Sequence, residues 1–544
     1  MKLSADDSSN TVLHSQQSLS LKPYRAPASQ SGVAKHRAVK RPKGWSTLVA
    51  TISTVMMTLD ITIILVALPA MAEDLHLTLS GGQWVINAYS LAFASLLLSA
   101  GSMSDIVGRR TLFLIGHLLF LGASIGCAMS TTEEWLIAAR AIQGAGGALV
   151  FGTSIPLLSD AFLPTEKDQR TRAITILMAG AAASSALGPL VGGFLVEYGT
   201  WEWIFYINVP IGIFVIIATL IFVPDIHRET KHRASSASTA ASTPPLDPVI
   251  MVVAAAMLFA LNYGIIAGPD DGWTHWLVLV SFGLSAILAG YIILNQSAKG
   301  QAAMIDIGLF SIPSFTTVTF ASFAARLFSF GMMPFLVLWL SGQVGLNALQ
   351  IGYVSTAMAV PIVLFAGVAL ILGRYMRLGF VQAIGMFIVA GGLMLGLLID
   401  SESSWPALIP AYIVIGCGTG IMMPHLMDLA VSVVPPTRTG TASGIANTAL
   451  PLGTSFGVAI YGAYLSNVIN DDLAMAPQNV RDAAEAGQFG LIERFSPQLA
   501  EMAKVSFVDA LHGIFIFAAG MAVVGAIACA IFIKESHQVT SKKK

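Results

Sequence analysis

Charged residues are scarce in this chain of 544 residues, since Asp, Glu, Lys and Arg together make up only 11%. Hydrophobic residues account for 55%, and the mean hydropathy is +0.74. A water-soluble chain of this length needs far more charge at its surface, so the composition excludes an ordinary soluble protein. Apolar runs long enough to cross a bilayer as a helix, about 20 residues each, recur along most of the chain. Because lipid offers no partner to an open backbone, repeated runs predict an all-α polytopic membrane protein.

The chain is also poor in the residues of catalysis and metal binding. Its three cysteines, Cys127, Cys417 and Cys529, fall in apolar runs without the spacing of a disulfide framework or a metal site. The sequence has no phosphate-binding loop and no nucleophile with its base, so we expect neither an enzyme nor an ATP-driven pump. A formal net charge of −1 excludes a general attraction to nucleic acid. We therefore expect no cofactor, no metal and no nucleic-acid partner.

About fourteen apolar spans are separated by Gly, Pro and charged breaks. A disordered basic tail is predicted at 1–45, followed by six spans in 46–223 and a cytoplasmic linker at 224–247. An inserted pair of spans with its connection occupies 248–313. Six more spans lie in 314–534, with a long outer loop at 467–508, and a second cytoplasmic tail follows at 535–544. The two groups of six look like weak repeats, since Gln83 and Gln350 each begin the second span of a group. Transporters often place their substrate path between such halves.

Basic residues are concentrated on one side of the predicted membrane. Cytoplasmic loops of membrane proteins carry an excess of Lys and Arg. The short loops of one side hold Arg109, Arg110, Lys167, Arg170, Arg172, Lys299, Arg374, Arg377 and Arg438. The short loops of the other side hold Glu73, Asp74, Glu133, Glu134, Asp270, Asp271, Asp400 and Glu402, without Lys or Arg. This bias predicts that both termini are cytoplasmic, and we expect a bacterial cytoplasmic (inner) membrane as the location.

The loop between the second and third spans has an ordered set of turn and charged residues: Gly101, Asp105, Gly108, Arg109 and Arg110. Glycine permits a tight turn between packed helix ends, the aspartate can accept hydrogen bonds from amides or an arginine, and the arginines can anchor at headgroups. A generic charged turn is the alternative. The pattern resembles the signature loop of the major facilitator superfamily, which implies two six-helix bundles, here with an inserted helix pair.

Three further stretches resemble the fourteen-helix drug:proton antiporters of that superfamily, which include quaternary-ammonium exporters. They are Leu59-Asp60-Ile61-Thr62-Ile63 in the first span, Arg140-Ala-Ile-Gln143-Gly144 in the fourth, and Gly188-Pro189-Leu-Val-Gly192-Gly193, the antiporter motif, in the fifth. The match continues through Trp201, Trp203, Phe205, Asn208, Pro210 and Gly212. One departure is Ser184, which stands where the antiporter motif commonly has an earlier glycine. That departure puts the close packing of the fifth helix in question.

Asp60 lies near the centre of the first span. An ionised side chain at that depth costs roughly 3 kcal/mol or more on insertion scales, so it needs a compensating role. We interpret Asp60 as a proton site or as a counter-charge for a cationic substrate. The alternative is a hydrogen bond that ties the first span to a neighbour.

Two arginines also fall inside spans. Arg140 lies in the fourth span, and the resemblance implies that it takes part in proton coupling; the alternative is a side chain that reaches toward the outer headgroups. Arg326 lies in the ninth span, about as far before Gln350 as Asp60 lies before Gln83. We expect Arg326 to face the cavity and either to pair with Asp60 or to receive an anionic group, with a structural bond to helix-end carbonyls as the alternative.

Small residues suit helices that approach closely and slide past each other. We expect this role for Gly188, Pro189, Gly192 and Gly193, although plain packing explains them too. His425 and Asp428, three residues apart near the inner end of the twelfth span, are weak candidates for gating.

The resulting expectation is a proton-coupled antiporter that exports small amphipathic compounds, with cationic ones among the candidates, by alternating access. Its partners would be that substrate, protons and the lipid bilayer, and the protein would act as a monomer. The main alternative is a dedicated exporter of a single metabolite, anionic if Arg326 binds it. A channel is a second alternative, and the two related halves argue against it.

Overall fold

The computed structural model describes residues 43–162, 165–224, 247–300, 303, 307–434 and 439–533. Helices dominate this part of the chain, and no strand occurs in it. The predicted all-α polytopic class is therefore confirmed. Most of the predicted linker at 224–247 and nearly all of both predicted tails lie outside the described residues.

The helices before and within the inserted pair are labelled α1 to α8. They are α1 (Lys43–Asp74), α2 (Leu79–Val107), α3 (Arg109–Ala128), α4 (Glu133–Asp160), α5 (Lys167–Tyr198), α6 (Trp203–Phe222), α7 (Pro248–Asp271) and α8 (Trp276–Lys299). The later helices are α9 (Pro313–Gln343), α10 (Ala348–Tyr375), α11 (Leu378–Leu395), α12 (Ile409–Ser432), α13 (Thr439–Asp472), α14 (Gln478–Glu485), α15 (Phe489–Phe495) and α16 (Pro497–Phe532).

Twelve helices of the described part are long and apolar enough to cross a membrane, and bent α5 makes a thirteenth if its two pieces form one span. The predicted number is about fourteen. The second predicted span corresponds to α2, which is a helix of 29 residues and is not among those thirteen.

The helices pack as two groups that touch along two seams. In the first group α1 packs against α5 and α4, while α2 and α3 pack against α4. In the second group α12 packs against α10 and α11, α11 against α16, and α9 against α13. The groups meet where α5 contacts α10 and where α2 contacts α13. Helices α7 and α8 pack on each other, and α7 lies against both α2 and α13.

The turn between α2 and α3 depends on Gly108. Its φ of 98° is in the region that favours glycine, and its N–H donates to the carbonyl of Ser104 at 3.0 Å. The next residue, Arg109, forms an ion pair with Asp160 at the end of α4. Arg110 donates from Nη2 to the carbonyl of Leu220 near the end of α6 at 2.7 Å. The turn thus ties α3 to α4 and α6 at the predicted inner end. Gly101 lies within α2, and the side chain of Asp105 is outside the described part.

The connection at the predicted outer end is more helical than the loop predicted at 467–508. Helix α13 continues to Asp472 and α16 begins at Pro497, with α14 and α15 between them. The carboxylate of Glu485 in α14 accepts from Ser466 Oγ at 2.7 Å and from Asn470 Nδ2 at 2.8 Å. These bonds hold α14 against the end of α13, so the last turns of α13 have a folded neighbour rather than open solvent.

Candidate functional site

The carboxylate of Asp60 is the centre of a buried polar network among helices of the first group. Asp60 is only 2% exposed. Its Oδ2 accepts from Arg140 Nη1 at 2.8 Å, and its Oδ1 accepts from Gln143 Nε2 at 2.9 Å and from Asn208 Nδ2 at 2.8 Å. Three donors on one carboxylate stabilise its ionised form in surroundings that would otherwise penalise the charge.

Arg140 is fixed by contacts on several sides. Besides its bond to Asp60, it donates from Nε to the carbonyl of Val85 at 3.1 Å. Its guanidinium lies 4.3 Å from the ring centre of Tyr89 and 5.9 Å from that of Phe205. With 1% exposure and an ion pair to Asp60, the side chain points into the helix bundle rather than toward lipid headgroups.

Gln143 links Arg140 and Asp60 to α3. It lies three residues after Arg140, which places both side chains on one face of α4. Its Oε1 accepts from Arg140 Nη1 at 2.6 Å, and its Nε2 donates to Ser124 Oγ at 2.9 Å as well as to Asp60. The network therefore connects α1, α3, α4 and α6.

Glycines bring the backbones of these helices close enough for the network to form. A Cβ atom on Gly144 would overlap the carbonyl group of Tyr89 in α2. A Cβ atom on Gly146 would lie 2.6 Å from the amide nitrogen of Phe120 in α3. Helix α4 therefore packs directly against two neighbouring backbones.

The antiporter motif lies where α5 meets both α1 and α10. A Cβ atom on Gly188 would overlap Thr62, and one on Gly192 would lie 2.8 Å from the carbonyl oxygen of Ile63, so both glycines face α1. A Cβ atom on Gly193 would overlap the carbonyl of Ala348 in α10 of the other helix group.

The contact of α5 with α10 is close from both sides. A Cβ atom on Gly352 of α10 would lie 2.7 Å from the carbonyl oxygen of Pro189 in α5. Ser184, which departs from the motif, is buried and donates to the carbonyl of Ala181 in its own helix at 2.9 Å. The close packing that Ser184 put in question is thus present further along α5.

Arg326 lines a cavity between the two helix groups. Its guanidinium lies 4.4 Å from the ring centre of Phe330, one turn later in α9. The same cavity is lined by Arg140 from the first group and Thr454 from α13, and it has space for about one water molecule. Arg326 is not among the described partners of Asp60, which bonds Arg140 instead. The predicted pairing of Arg326 with Asp60 is therefore not observed, and the receipt of an anionic group stays a prediction.

The predicted gating pair is only partly described. His425 is buried, and its Nε2 lies 2.8 Å from the carbonyl oxygen of Ala369 in α10. The side chain of Asp428 is outside the described part. No group of three or more potential metal ligands occurs in the described residues.

Sequence reasoning assigned no role in the site to three of its members, although Asn208 belongs to the family match. Asn208 and Ser124 join the network by hydrogen bonds, and Tyr89 joins it through its ring against Arg140. A single amide inside the apolar span of α6 was an available signal for Asn208, because buried polar groups in membrane helices need partners. Ser124 and Tyr89 carry no comparable signal, since serine and tyrosine are common in such spans.

A family model described as Major Facilitator Superfamily matches residues 50–458 and again 318–544 of the chain. The chain is 28% identical over 450 residues to the multidrug efflux pump LfrA of Mycolicibacterium smegmatis. This alignment covers 82% of this chain and 86% of that protein. The chain is 32% identical over 424 residues to the methylenomycin A resistance protein of Bacillus subtilis, covering 77% of this chain and 86% of the relative.

The fold is also similar to that of solved transporters. A bacterial homologue of the human lysosomal transporter Spinster, crystallised in an inward-facing and occupied conformation, superposes with a TM-score of 0.62 at 13% identity. The superposition covers 92% of this chain and 98% of that structure. At this identity the likeness concerns the fold alone.

Proposed function

Since the chain belongs to the major facilitator superfamily, we propose that it exports small amphipathic compounds in exchange for protons. It is a multi-pass membrane transport protein whose curated relatives are named as multidrug efflux pumps and drug-resistance proteins. The proposal includes proton coupling and antiport. It also places the protein in a bacterial inner membrane, with both termini cytoplasmic, where it acts as a monomer.

One observation carries the proposal, namely the ion pair of Asp60 and Arg140 inside the helix bundle. Both side chains are almost fully buried, and their charged atoms lie 2.8 Å apart. A proton that binds Asp60 removes its negative charge and weakens its bond to Arg140. Protonation thereby loosens a link between α1 and α4 beside the cavity that Arg140 lines.

The coupling follows from competition between proton and arginine for one carboxylate. While Asp60 is ionised, its bond to Arg140 links α1 to α4. When Asp60 is protonated, that link is weakened and the two helices can repack. Exchange requires that protonated Asp60 and bound substrate favour opposite arrangements of the helix groups.

The packing of α5 supports alternating access as the transport mode. Gly192 contacts α1 in its own helix group, whereas Gly193 contacts α10 in the other group. Backbone contacts without intervening side chains permit one group to rock or slide against the other. Alternate opening toward each side of the membrane is the motion we assign to this seam.

A drug-susceptibility panel in an exporter-deficient bacterium tests the proposal. The wild-type protein is expected to raise the inhibitory concentration of several amphipathic drugs, and Asp60→Asn is expected to remove that protection at equal membrane abundance. Arg494→Gln, an exposed charge in α15, is the matched control and should protect as the wild type does. Full protection by Asp60→Asn would contradict proton coupling through this residue.

The same panel separates the second candidate function, export of a single and anionic metabolite. That candidate is favoured by the position of Arg326 in the cavity wall. Protection against only one compound or one close chemical series would support the dedicated exporter. Protection across unrelated compounds would support multidrug export.

A further inference from the structure

The cavity between the helix groups has an uneven charge balance. Its wall includes the guanidinium groups of Arg140 and Arg326, and no Asp or Glu is among its lining residues in the described part of the chain. A site for a cationic compound normally offers a carboxylate or a set of electron-rich rings to the ligand. This wall offers positive charge.

Asp60 does not supply the missing negative charge. Both of its oxygens are already engaged, one by Arg140 and the other by Gln143 and Asn208. Asp60 therefore balances one arginine, and the second arginine of the cavity is left with its full positive charge.

Arg326 is that uncompensated cation. Its side chain is partly buried, and it makes no ion pair or hydrogen bond to another described residue. The ring of Phe330 lies 4.4 Å from the guanidinium carbon. Contact with one ring leaves the N–H donors of the guanidinium without acceptors, and these donors match a carboxylate in two parallel bonds.

The remaining wall of the cavity suits an apolar body. Ile64 and Leu65 of α1 and Ile86 of α2 line it, beside the hydroxyl-bearing Ser90 and Thr454. Apolar walls with a few directed polar groups are typical of small-molecule sites. The present opening is narrow, so the helix groups must separate for such a body to enter.

We propose that the transported compounds are amphipathic anions, whose carboxylate or ionised phenol binds Arg326 in this cavity. This inference rests on the proposed transport function and replaces the cationic substrate that the sequence suggested. It also assigns the role of Arg326, which is to select the substrate charge, while Asp60 and Arg140 exchange the proton.

Binding of three probes to the purified full-length protein tests the inference. The probes are fusidate, which is anionic, chloramphenicol, which is neutral, and ethidium, which is cationic. Affinities are measured from the concentration dependence of thermal stabilisation in detergent. The wild type is expected to bind fusidate more tightly than ethidium.

Three variants make the test specific. Arg326→Gln is expected to weaken fusidate binding by about tenfold or more, because a charge-assisted hydrogen bond is lost, while chloramphenicol binding stays within about twofold. Arg326→Lys should retain part of the fusidate affinity, and Arg494→Gln should retain all of it. Melting temperatures without ligand show that each variant is folded.

Tighter binding of ethidium than of fusidate by the wild type would overturn the inference. An equal loss of affinity for all three probes in Arg326→Gln would overturn it too. Failure of the proposed function is a separate result. If fusidate binds as expected but a pH gradient drives no flux, the anion site stands and proton-coupled export does not.

Discussion

At the scale of single residues, the unusual feature is how many donors one carboxylate receives within an apolar bundle. Asp60 accepts from a guanidinium and from two amides, and those amides lie in α4 and α6. Hydrogen bonds to a charged group contribute about 1.5–3 kcal/mol each, so every donor helps to hold the carboxylate in place. The amides thereby support the pair of Asp60 and Arg140.

The variant Asn208→Ala tests this role. Loss of one donor weakens the set of hydrogen bonds that orients the carboxylate of Asp60 toward Arg140. Flux driven by a pH gradient should therefore fall, by about tenfold, because one hydrogen bond to a charged group contributes about 1.5–3 kcal/mol. The measurement is initial substrate flux in vesicles under a fixed pH gradient.

Ser124→Ala is the matched control for Asn208→Ala. Ser124 accepts from Gln143 at 2.9 Å, and Gln143 in turn bonds Asp60. Because Ser124 acts only through Gln143, its loss should lower the flux by less than about threefold. Flux at the wild-type rate in Asn208→Ala would show that this amide does not support the pair of Asp60 and Arg140.

The sequence predicted part of this site for a clear physical reason. A charge in an apolar run is visible in one dimension, and Asp60, Arg140 and Arg326 were all identified in that way. Their pairing was not visible, since Arg140 and Arg326 are both available partners for Asp60 until helix packing is known. Asn208 lies 148 residues from Asp60 in the chain, and only the fold brings their side chains together.

At the scale of elements, α5 has two different neighbours on adjacent residues. Gly192 faces the backbone of α1 within its helix group, and Gly193 faces the backbone of α10 across the seam. The first contact belongs to the permanent packing of the group. The second must form and break if the groups alternate.

The variants Gly192→Ala and Gly193→Ala should therefore differ. Gly192→Ala introduces a Cβ atom 2.8 Å from a backbone carbonyl oxygen and should lower stability by about 1–3 kcal/mol, seen as a lower melting temperature. Gly193→Ala should reduce the transport rate by about tenfold with a smaller change in melting temperature, because it prevents one closed arrangement.

A third variant controls for the substitution itself. Gly391 of α11 has open space around the position of a Cβ atom, so Gly391→Ala should leave both melting temperature and transport rate unchanged. Equal effects of Gly192→Ala and Gly193→Ala on both quantities would contradict the division between permanent and alternating contacts.

The lengths of the apolar runs predicted most membrane elements, because a span must be apolar and long enough to cross the bilayer. The ends of the elements were less accessible. Helix α13 extends to Asp472, and near its end Ser466 and Asn470 bind Glu485 of a later helix, a contact that local hydropathy does not indicate. The close approach of α5 to α10 was likewise not predicted, since glycines show where contact is possible but not with which helix.

At the scale of the whole molecule, the charge carried in each cycle decides how the membrane potential acts on transport. Outward movement of a monovalent anion against inward movement of one proton transfers two charges in the same electrical direction. Each charge contributes about 2.3 kcal/mol at 100 mV. Exchange of a monovalent cation for one proton transfers no net charge.

Fusidate transport should therefore accelerate when the interior is made negative. In proteoliposomes without a pH gradient, a potassium diffusion potential of about 100 mV set with valinomycin should increase outward fusidate flux several-fold. Vesicles without protein correct for leakage. A flux that does not depend on the potential would indicate electroneutral exchange and would contradict anion export with one proton.

The central claim is that Asp60 exchanges its bond to Arg140 for a proton in every transport cycle. The most direct measurement compares two assays on the same proteoliposomes, namely flux driven by a pH gradient and exchange of labelled for unlabelled substrate without a gradient. For Asp60→Asn we predict loss of gradient-driven flux with retained substrate exchange. Gradient-driven flux at the wild-type rate in Asp60→Asn would contradict the account.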